Sequence, residues 1–270
     1  MLLLVDYCGA RYFGLAVMDQ GPSAIVVIVL ISVSLLFYGI FGRTSRVGTM
    51  MRYLALWFAT LPLTLVLTYL LATLSFLPVA AALDHFDKAL RFDWLNWYNF
   101  VDSHTILKSV LAAAYASIAF QIHFSIIYFS HRDEANRGNE LWWTATIALI
   151  ITTIVSGVLP AMGAFEYYGV IDTKHGLHLH DLHGLRDGTL TSISFEHITG
   201  IVTLPSYHTV LAVLLTYVYR HRRRMLCVVL PLNLLMLVSI PSQGGHYLAD
   251  MIAGGAVAAL SIWIVARTTL

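Results

Sequence analysis

An imidazole and a carboxylate lie four residues apart in His246-Tyr-Leu-Ala-Asp250, at the start of the last apolar stretch. Side chains at this spacing are neighbours on a helix. A carboxylate bound to one imidazole nitrogen fixes the tautomer and leaves the other nitrogen available for nucleophilic attack. The spacing alone fits a structural hydrogen-bonded pair equally well. The preceding Gly244-Gly245, where backbone can approach a ligand closely, favours a functional site and makes Gly245 a candidate substrate-binding residue.

A second histidine follows a proline in Pro205-Ser206-Tyr207-His208, at the start of an earlier apolar stretch. Proline near a helix start leaves N–H groups of the next turn without partners, and with the Ser206 hydroxyl they form a cradle for an anion such as phosphate. We therefore predict that Ser206 and Tyr207 contact substrate. A histidine here is alternatively an interfacial residue, but pairing with His246 and Asp250 favours His208 as a general acid and base.

The composition predicts a polytopic membrane protein, because 58% of the 270 residues are hydrophobic and only 11% are charged. Each stretch that is poor in charged residues is long enough, or nearly so, to cross a hydrocarbon core of about 30 Å. These stretches are 23–41, 53–78, 109–130, 141–162, 201–219, 225–241 and 246–266. We expect an all-α bundle of about six to seven transmembrane helices, with residues 1–270 as one integral membrane domain.

The Lys and Arg residues between these stretches are distributed unequally. The loops and chain ends on one side of the predicted membrane carry ten of them, including Arg220 and Arg222–Arg224. Those on the other side carry six. The positive-inside rule then places His208 and His246 at the extracytoplasmic face, periplasmic or lumenal. The net charge of +1 argues against a nucleic-acid partner, and the arginine cluster is interpreted as a cytoplasmic anchor.

Three further segments have distinct predicted roles. Residues 83–104 alternate aspartates with aromatic residues, a pattern typical of an amphipathic segment at the membrane interface. Residues 163–200 form the longest polar stretch and are predicted to be an outer loop or lid. Residues 201–267 contain both histidine motifs and are predicted to be the catalytic helices.

Together the two motifs resemble those of the type-2 phosphatidic acid phosphatase superfamily, whose second motif reads P-S-x-H and whose third ends in H-x-x-x-D. The resemblance covers roughly residues 150–267. It implies a phosphohistidine on His246, an orienting role for Asp250, and proton transfer by His208. It also implies a lipid phosphate substrate within the bilayer, with hydrolysis of a phosphomonoester or pyrophosphate and without a metal or other cofactor.

The family's cationic phosphate-binding motifs are missing from this sequence, which has Ser239-Ile240 in place of a Ser-Arg pair. In these departures the sequence resembles the branch of the superfamily that includes inositol phosphorylceramide synthases and bacterial relatives. A phospho-alcohol transferase is therefore the alternative activity. Arg186 is the candidate replacement cation, because a guanidinium binds phosphate in a bidentate manner. A salt bridge to Asp187 or Glu196 is the alternative role. The other outer-face candidates are Lys88, Arg91, Lys108 and Lys174.

The histidine-rich run His175–His183 has spacings that suit zinc, but a solvated lid is the favoured interpretation. Two other function classes stay open. A transporter would need ionisable groups spread through the membrane midplane, whereas these groups cluster at one surface. A haem-binding electron carrier would show a Soret band.

Overall fold

A computed structural model describes residues 2–18, 22–42, 45–74, 79–170, 176–194 and 203–268. Most of these residues are helical, which confirms the predicted all-α membrane fold. The helices are α1 (Leu2–Phe13), α2 (Pro22–Phe41), α3 (Arg46–Ala72), α4 (Ala80–Ala89), α5 (Trp94–Ser103), α6 (Thr105–His131), α7 (Ala135–Val158), α8 (Ala164–Tyr167), α9 (Gly176–Asp187), α10 (Tyr207–Val218), α11 (Arg223–Gly244) and α12 (Leu248–Thr268). The strands β1 (Ala16–Met18) and β2 (Ser192–Ser194) pair in parallel.

Five helices of the described chain, α3, α6, α7, α11 and α12, are long and apolar enough to cross a membrane. The apolar part of α2 and the whole of α10 are shorter. The predicted span 201–219 therefore needs correction, because its helix begins only at Tyr207 and has 12 residues. Such a helix is about 18 Å long, against a hydrocarbon core of about 30 Å. One end of α10 consequently lies inside the bundle.

The central helix α10 is apolar on all sides because α6, α7, α11 and α12 surround it. Val210, Leu214 and Leu215 have no measurable exposure and form the middle of the core. On α12, a Cβ at Gly254 would lie 2.4 Å from the Ser206 carbonyl oxygen. Only glycine allows this approach, which holds the starts of α10 and α12 together.

The two ends of the bundle differ in their side chains. At one end, the connections between α6 and α7 and between α10 and α11 carry ion pairs. Arg220 lies 2.7 Å from Glu140, and Arg46 of α3 lies 2.6 Å from Asp133. The other end, which we call the site end, carries α4, α5, α8, α9 and both histidine motifs. Strand β1 pairs with β2, which precedes α10 in the chain, so residues 16–18 also lie at the site end.

Helices α4 and α5 pack more deeply than an interfacial segment requires. Trp94 is 1% exposed, stacks against Tyr98 and Tyr168, and donates its indole N–H to the Pro241 carbonyl oxygen over 3.0 Å. The predicted membrane-surface position of residues 83–104 stays a prediction. The structure adds that this segment supports the ends of α11 and α12.

Candidate active site

His246 lies in the short connection between α11 and α12, and Asp250 lies in the first turn of α12. The Nδ1 atom of His246 is 3.4 Å from Oδ2 of Asp250, and both side chains are buried. The same Oδ2 accepts the backbone N–H of Tyr247 over 2.9 Å. Asp250 thus satisfies a donor at its own helix start while facing Nδ1 of the histidine. This geometry leaves Nε2 as the nitrogen available for attack.

The sharp turn before His246 depends on Gly245, which has a left-handed φ of 63° and ends α11. A Cβ at this position would lie 2.3 Å from the Phe165 ring. The Gly245 carbonyl oxygen accepts the N–H of Ala164 over 2.8 Å. Gly244, but not Gly245, lines the cavity described below. The geometry therefore gives Gly245 a turn-forming role, and its predicted contact with substrate stays a prediction.

A residue that the sequence analysis did not identify, Asp87 of α4, caps the start of α12. Its carboxylate accepts the N–H of Leu248 over 2.7 Å and that of Ala249 over 2.9 Å. Burial raises the pKa of Asp87, and the two backbone donors oppose this shift. With Asp87 and Asp250, three successive N–H groups at this helix start have acceptors. The helix that carries Asp250 is thereby fixed at its first turn.

The neighbouring Asp84 has a different function in the fold. It forms an ion pair with Lys88 at 2.8 Å and accepts the Tyr168 hydroxyl. Burial opposes ionisation of Asp84, but Lys88 and Tyr168 outweigh it and lower the pKa of this carboxyl. Lys88, one of the candidate phosphate cations, therefore already has a carboxylate partner.

His208 lies in the first turn of α10, stacked on Tyr115 of α6 with ring centroids 4.1 Å apart. The Tyr115 hydroxyl is 3.2 Å from Nδ1 of His208 and donates or accepts according to the histidine tautomer. Tyr115 is ten residues inside α6, about 15 Å along its axis from Thr105. No pattern in the sequence indicated Tyr115 as a partner of His208. His208 is therefore held within the bundle and not at its surface.

Ser206 is completely buried, and its hydroxyl accepts the Thr209 N–H at 3.5 Å as the cap of α10. Its own N–H donates to the Asp250 carbonyl oxygen over 3.0 Å. Ser206 does not line the cavity described below. The structure thus gives Ser206 a capping role and a place at the junction with α12, and its predicted contact with substrate stays a prediction.

Both histidines line one cavity of about 300 Å³. Tyr207 also lines it, and the Tyr207 hydroxyl donates to the Ala145 carbonyl oxygen over 3.1 Å. Helices α3, α6 and α7 complete the wall, together with Gly163, Phe165 and Thr203. The cavity thus brings together His246, His208 and Tyr207 of the predicted site. Asp250 lies directly behind His246, outside the lining.

Among the described residues, the lining of this cavity contains no Lys or Arg. Arg186 lies on α9, where burial lowers the pKa of its guanidinium and the charge of Glu166 opposes that shift. Glu166 adjoins Phe165 of the cavity wall and also lies 3.0 Å from Nε2 of His183. Arg186 does not line the cavity, and its phosphate contact stays a prediction. Lys174 and Glu196 lie outside the described residues.

The histidine-rich run lies only partly within the described chain. His175 lies outside it, and of the potential metal ligands in the run only Asp181 and His183 have described side chains. The Tyr69 hydroxyl donates to Asp181 over 2.5 Å. No group of three potential metal ligands occurs among the described residues. The preference for a lid over a metal site stays a prediction.

Comparison with known proteins gives one result. A family model described as the PAP2 superfamily matches residues 81–264. The match begins at the start of α4, ends in the last turns of α12 and includes both histidine motifs, whereas α1–α3 precede it. Searches of curated proteins and of solved structures found no match.

Proposed function

The chain belongs to the PAP2 superfamily, and we propose that it is a lipid-phosphate phosphatase that works through a phosphohistidine on His246. The observation that carries the proposal is the pair of imidazoles on one cavity wall, His246 backed by a carboxylate and His208 by a hydroxyl. Nucleophilic catalysis needs an oriented nucleophile and a separate proton donor within reach of one phosphorus atom.

In the proposed first step, Nε2 of His246 attacks phosphorus and the bond from phosphorus to the lipid oxygen breaks. His208 gives a proton to that leaving oxygen. Asp250 faces Nδ1 of His246 at 3.4 Å and stabilises the positive charge that the ring gains. In the second step His208 removes a proton from water, the water oxygen attacks phosphorus, and the bond to His246 breaks. Inorganic phosphate and the dephosphorylated lipid are the products.

The negative charge of the phosphate needs hydrogen-bond donors. We assign this role to Arg186 of α9. Arg186→Lys keeps the charge but loses the planar fork that binds two oxygens. We expect Arg186→Ala to reduce kcat/KM about a hundredfold, as for loss of a donor to a transition-state oxygen. Arg11→Ala is the matched control, since Arg11 is an exposed arginine on α1 and is not one of the candidate phosphate cations. Normal turnover of Arg186→Ala would remove Arg186 from the site.

Purified protein in detergent tests the activity. With dioleoyl phosphatidic acid and with an isoprenyl pyrophosphate, we expect release of inorganic phosphate that vanadate inhibits, because the vanadate adduct resembles the transition state. We expect the activity to survive exhaustive chelation. Head-group exchange onto an added alcohol without net phosphate release would instead identify a transferase. Lack of both activities would contradict the proposal.

We further propose that the site faces the extracytoplasmic side. The ion-paired arginines, such as Arg220 and Arg46, lie at the end opposite the histidines, as the positive-inside rule requires of a cytoplasmic end. Single cysteines at positions 187 and 222, in a chain whose Cys8 and Cys227 are replaced by serine, test this. An impermeant maleimide should label position 187 in intact cells and position 222 only after permeabilisation. The reverse pattern would overturn the orientation.

A further inference from the structure

One wall of the active-site cavity comes from α3, which precedes the region matched by the family model. The wall consists of Leu61, Thr64, Leu65 and Thr68. These positions follow the spacing i, i+3, i+4 and i+7, so they lie on one helix face. From Thr68 to Leu61 the face extends about 10 Å along the axis. The wall thus reaches from the site end to the middle of α3.

Two threonines on this wall offer little to a polar ligand. The Thr64 hydroxyl donates to the Thr60 carbonyl oxygen over 2.8 Å, and the Thr68 hydroxyl donates to the Leu65 carbonyl oxygen over 2.6 Å. Because both donors are used within the helix, their methyl groups and the two leucines define the surface. Leu149 of α7, a helix that packs against α3, adds a further apolar side chain to the lining. This region suits hydrocarbon better than a charged head group.

The cavity also reaches the outside of the bundle. Leu61 lines it and is nevertheless 49% exposed, whereas Thr64 on the next turn is buried. Leu61 lies near the middle of a helix that is long and apolar enough to cross the membrane. Its exposed surface therefore faces the hydrocarbon core of the bilayer. Leu61 thus belongs both to the cavity lining and to the membrane-facing surface of α3.

We infer, on the basis of the proposed function, that this face of α3 binds the hydrocarbon chain of the lipid phosphate. The phosphate lies between His246 and His208, and the chain follows Thr68, Leu65 and Leu61 before it leaves the bundle past Leu61. The same wall then determines chain-length preference. Selectivity for the lipid would come from a helix outside the matched family region, while the chemistry comes from helices inside it.

Bulky substitutions at the wall test the inference. Leu65→Trp fills the path and Leu61→Trp narrows its exit. We expect each to lower kcat/KM for dioleoyl phosphatidic acid about tenfold or more, the scale of discrimination in an apolar pocket. Hydrolysis of p-nitrophenyl phosphate, which has no chain, should change less than about twofold. Leu234→Trp on α11 is the control, since Leu234 is 53% exposed and does not line the cavity.

Equal losses on both substrates, or unchanged selectivity in both variants, would overturn the chain site. Photolabelling of the unmodified protein provides a test that does not depend on turnover. The probe is a hexadecyl phosphonate with a diazirine at the end of its chain. We expect label on residues 58–68, displaced by excess dihexadecanoyl phosphatidic acid. Label confined to other helices would refute the inference, whereas absence of turnover with competed label on α3 would count against the proposed catalysis alone.

Discussion

The starts of α10 and α12 each carry one histidine of the candidate site, yet they are stabilised differently. The start of α12 has two carboxylates, Asp87 and Asp250, which together accept three backbone N–H groups. The start of α10 has the neutral Ser206 as its cap, and its histidine contacts the neutral Tyr115. Carboxylates stabilise the positive charge of an attacking imidazole, whereas a hydroxyl accepts or donates as a proton-transferring imidazole requires.

This difference indicates that the residues packed around two similar local motifs can give those motifs different roles. Each histidine lies within two residues of the start of a helix. Only His246 has a carboxylate four residues later, and only α12 receives a second carboxylate from another helix. The following substitutions test this contrast, from the largest expected effect to the smallest.

His246→Ala should lower turnover of dioleoyl phosphatidic acid at least about a thousandfold, because loss of a covalent nucleophile removes the pathway itself. Phosphate release by protein purified to equal folded yield is the measurement. His123→Ala, an exposed histidine on α6, is the control and should leave turnover unchanged. More than a tenth of normal activity in His246→Ala would exclude the nucleophilic role.

Asp87→Ala should weaken both the fold and the rate, because two N–H groups at the start of α12 lose their acceptor. We expect about 1–2 kcal/mol less stability, the range for loss of a helix cap, and a kcat reduced about tenfold as the position of Asp250 relaxes. Thermal unfolding and steady-state kinetics measure the two effects.

Asp87→Asn should recover part of both losses, since an amide oxygen still accepts one N–H. Asp84→Asn is the matched control from the same helix, and we expect kcat near normal because Asp84 does not contact α12 through a hydrogen bond. A normal kcat in destabilised Asp87→Ala would show that the cap serves the fold alone.

Tyr115→Phe should keep the stacked ring but remove the hydroxyl next to Nδ1 of His208. Loss of one hydrogen bond of about 0.5–1.5 kcal/mol predicts a threefold to tenfold lower kcat with KM nearly unchanged. Tyr53→Phe is the control, because the Tyr53 hydroxyl donates to the Ala135 carbonyl oxygen at the opposite end of the bundle. A changed KM with normal kcat would mean that Tyr115 binds substrate instead.

Ser206→Ala should have the smallest effect on rate, less than about threefold, because the hydroxyl caps α10 and is shielded from the cavity. Its hydrogen bond of 3.5 Å is long, so we expect a stability loss at the lower end of the capping range, about 0.5 kcal/mol. A loss of kcat/KM above tenfold without loss of stability would instead support the predicted role of Ser206 as a phosphate ligand.

The sequence was informative where the partners of a residue are near in the chain. The pairing of His246 with Asp250 follows from four-residue spacing, and the membrane helices follow from long uncharged stretches. The predicted span 201–219 was wrong in length, because residues 203–206 carry no charge but are not helical. Hydropathy reports affinity for the membrane and does not report backbone conformation.

Asp87 and Tyr115 could not be found from local patterns. Asp87 is 161 positions from Leu248, and Tyr115 is 93 positions from His208. Each has an ordinary local interpretation, as an interfacial acid and as a tyrosine in an apolar helix. Neither residue gave a signal in the sequence, because burial of the Asp87 carboxylate, whose charge requires partners, is visible only in the structure.

The amino-acid sequence was sufficient to identify the candidate reactive groups, two histidines and an aspartate, the motifs of the superfamily and the apolar helices long enough to span a bilayer. These depend on residue type and short spacing, which the chain encodes locally. Helix packing was needed to show that both imidazoles line one cavity, that Asp87 fixes the start of α12, and that α3 supplies an apolar wall. Such relations depend on how helices distant in sequence pack, which short-range patterns do not specify.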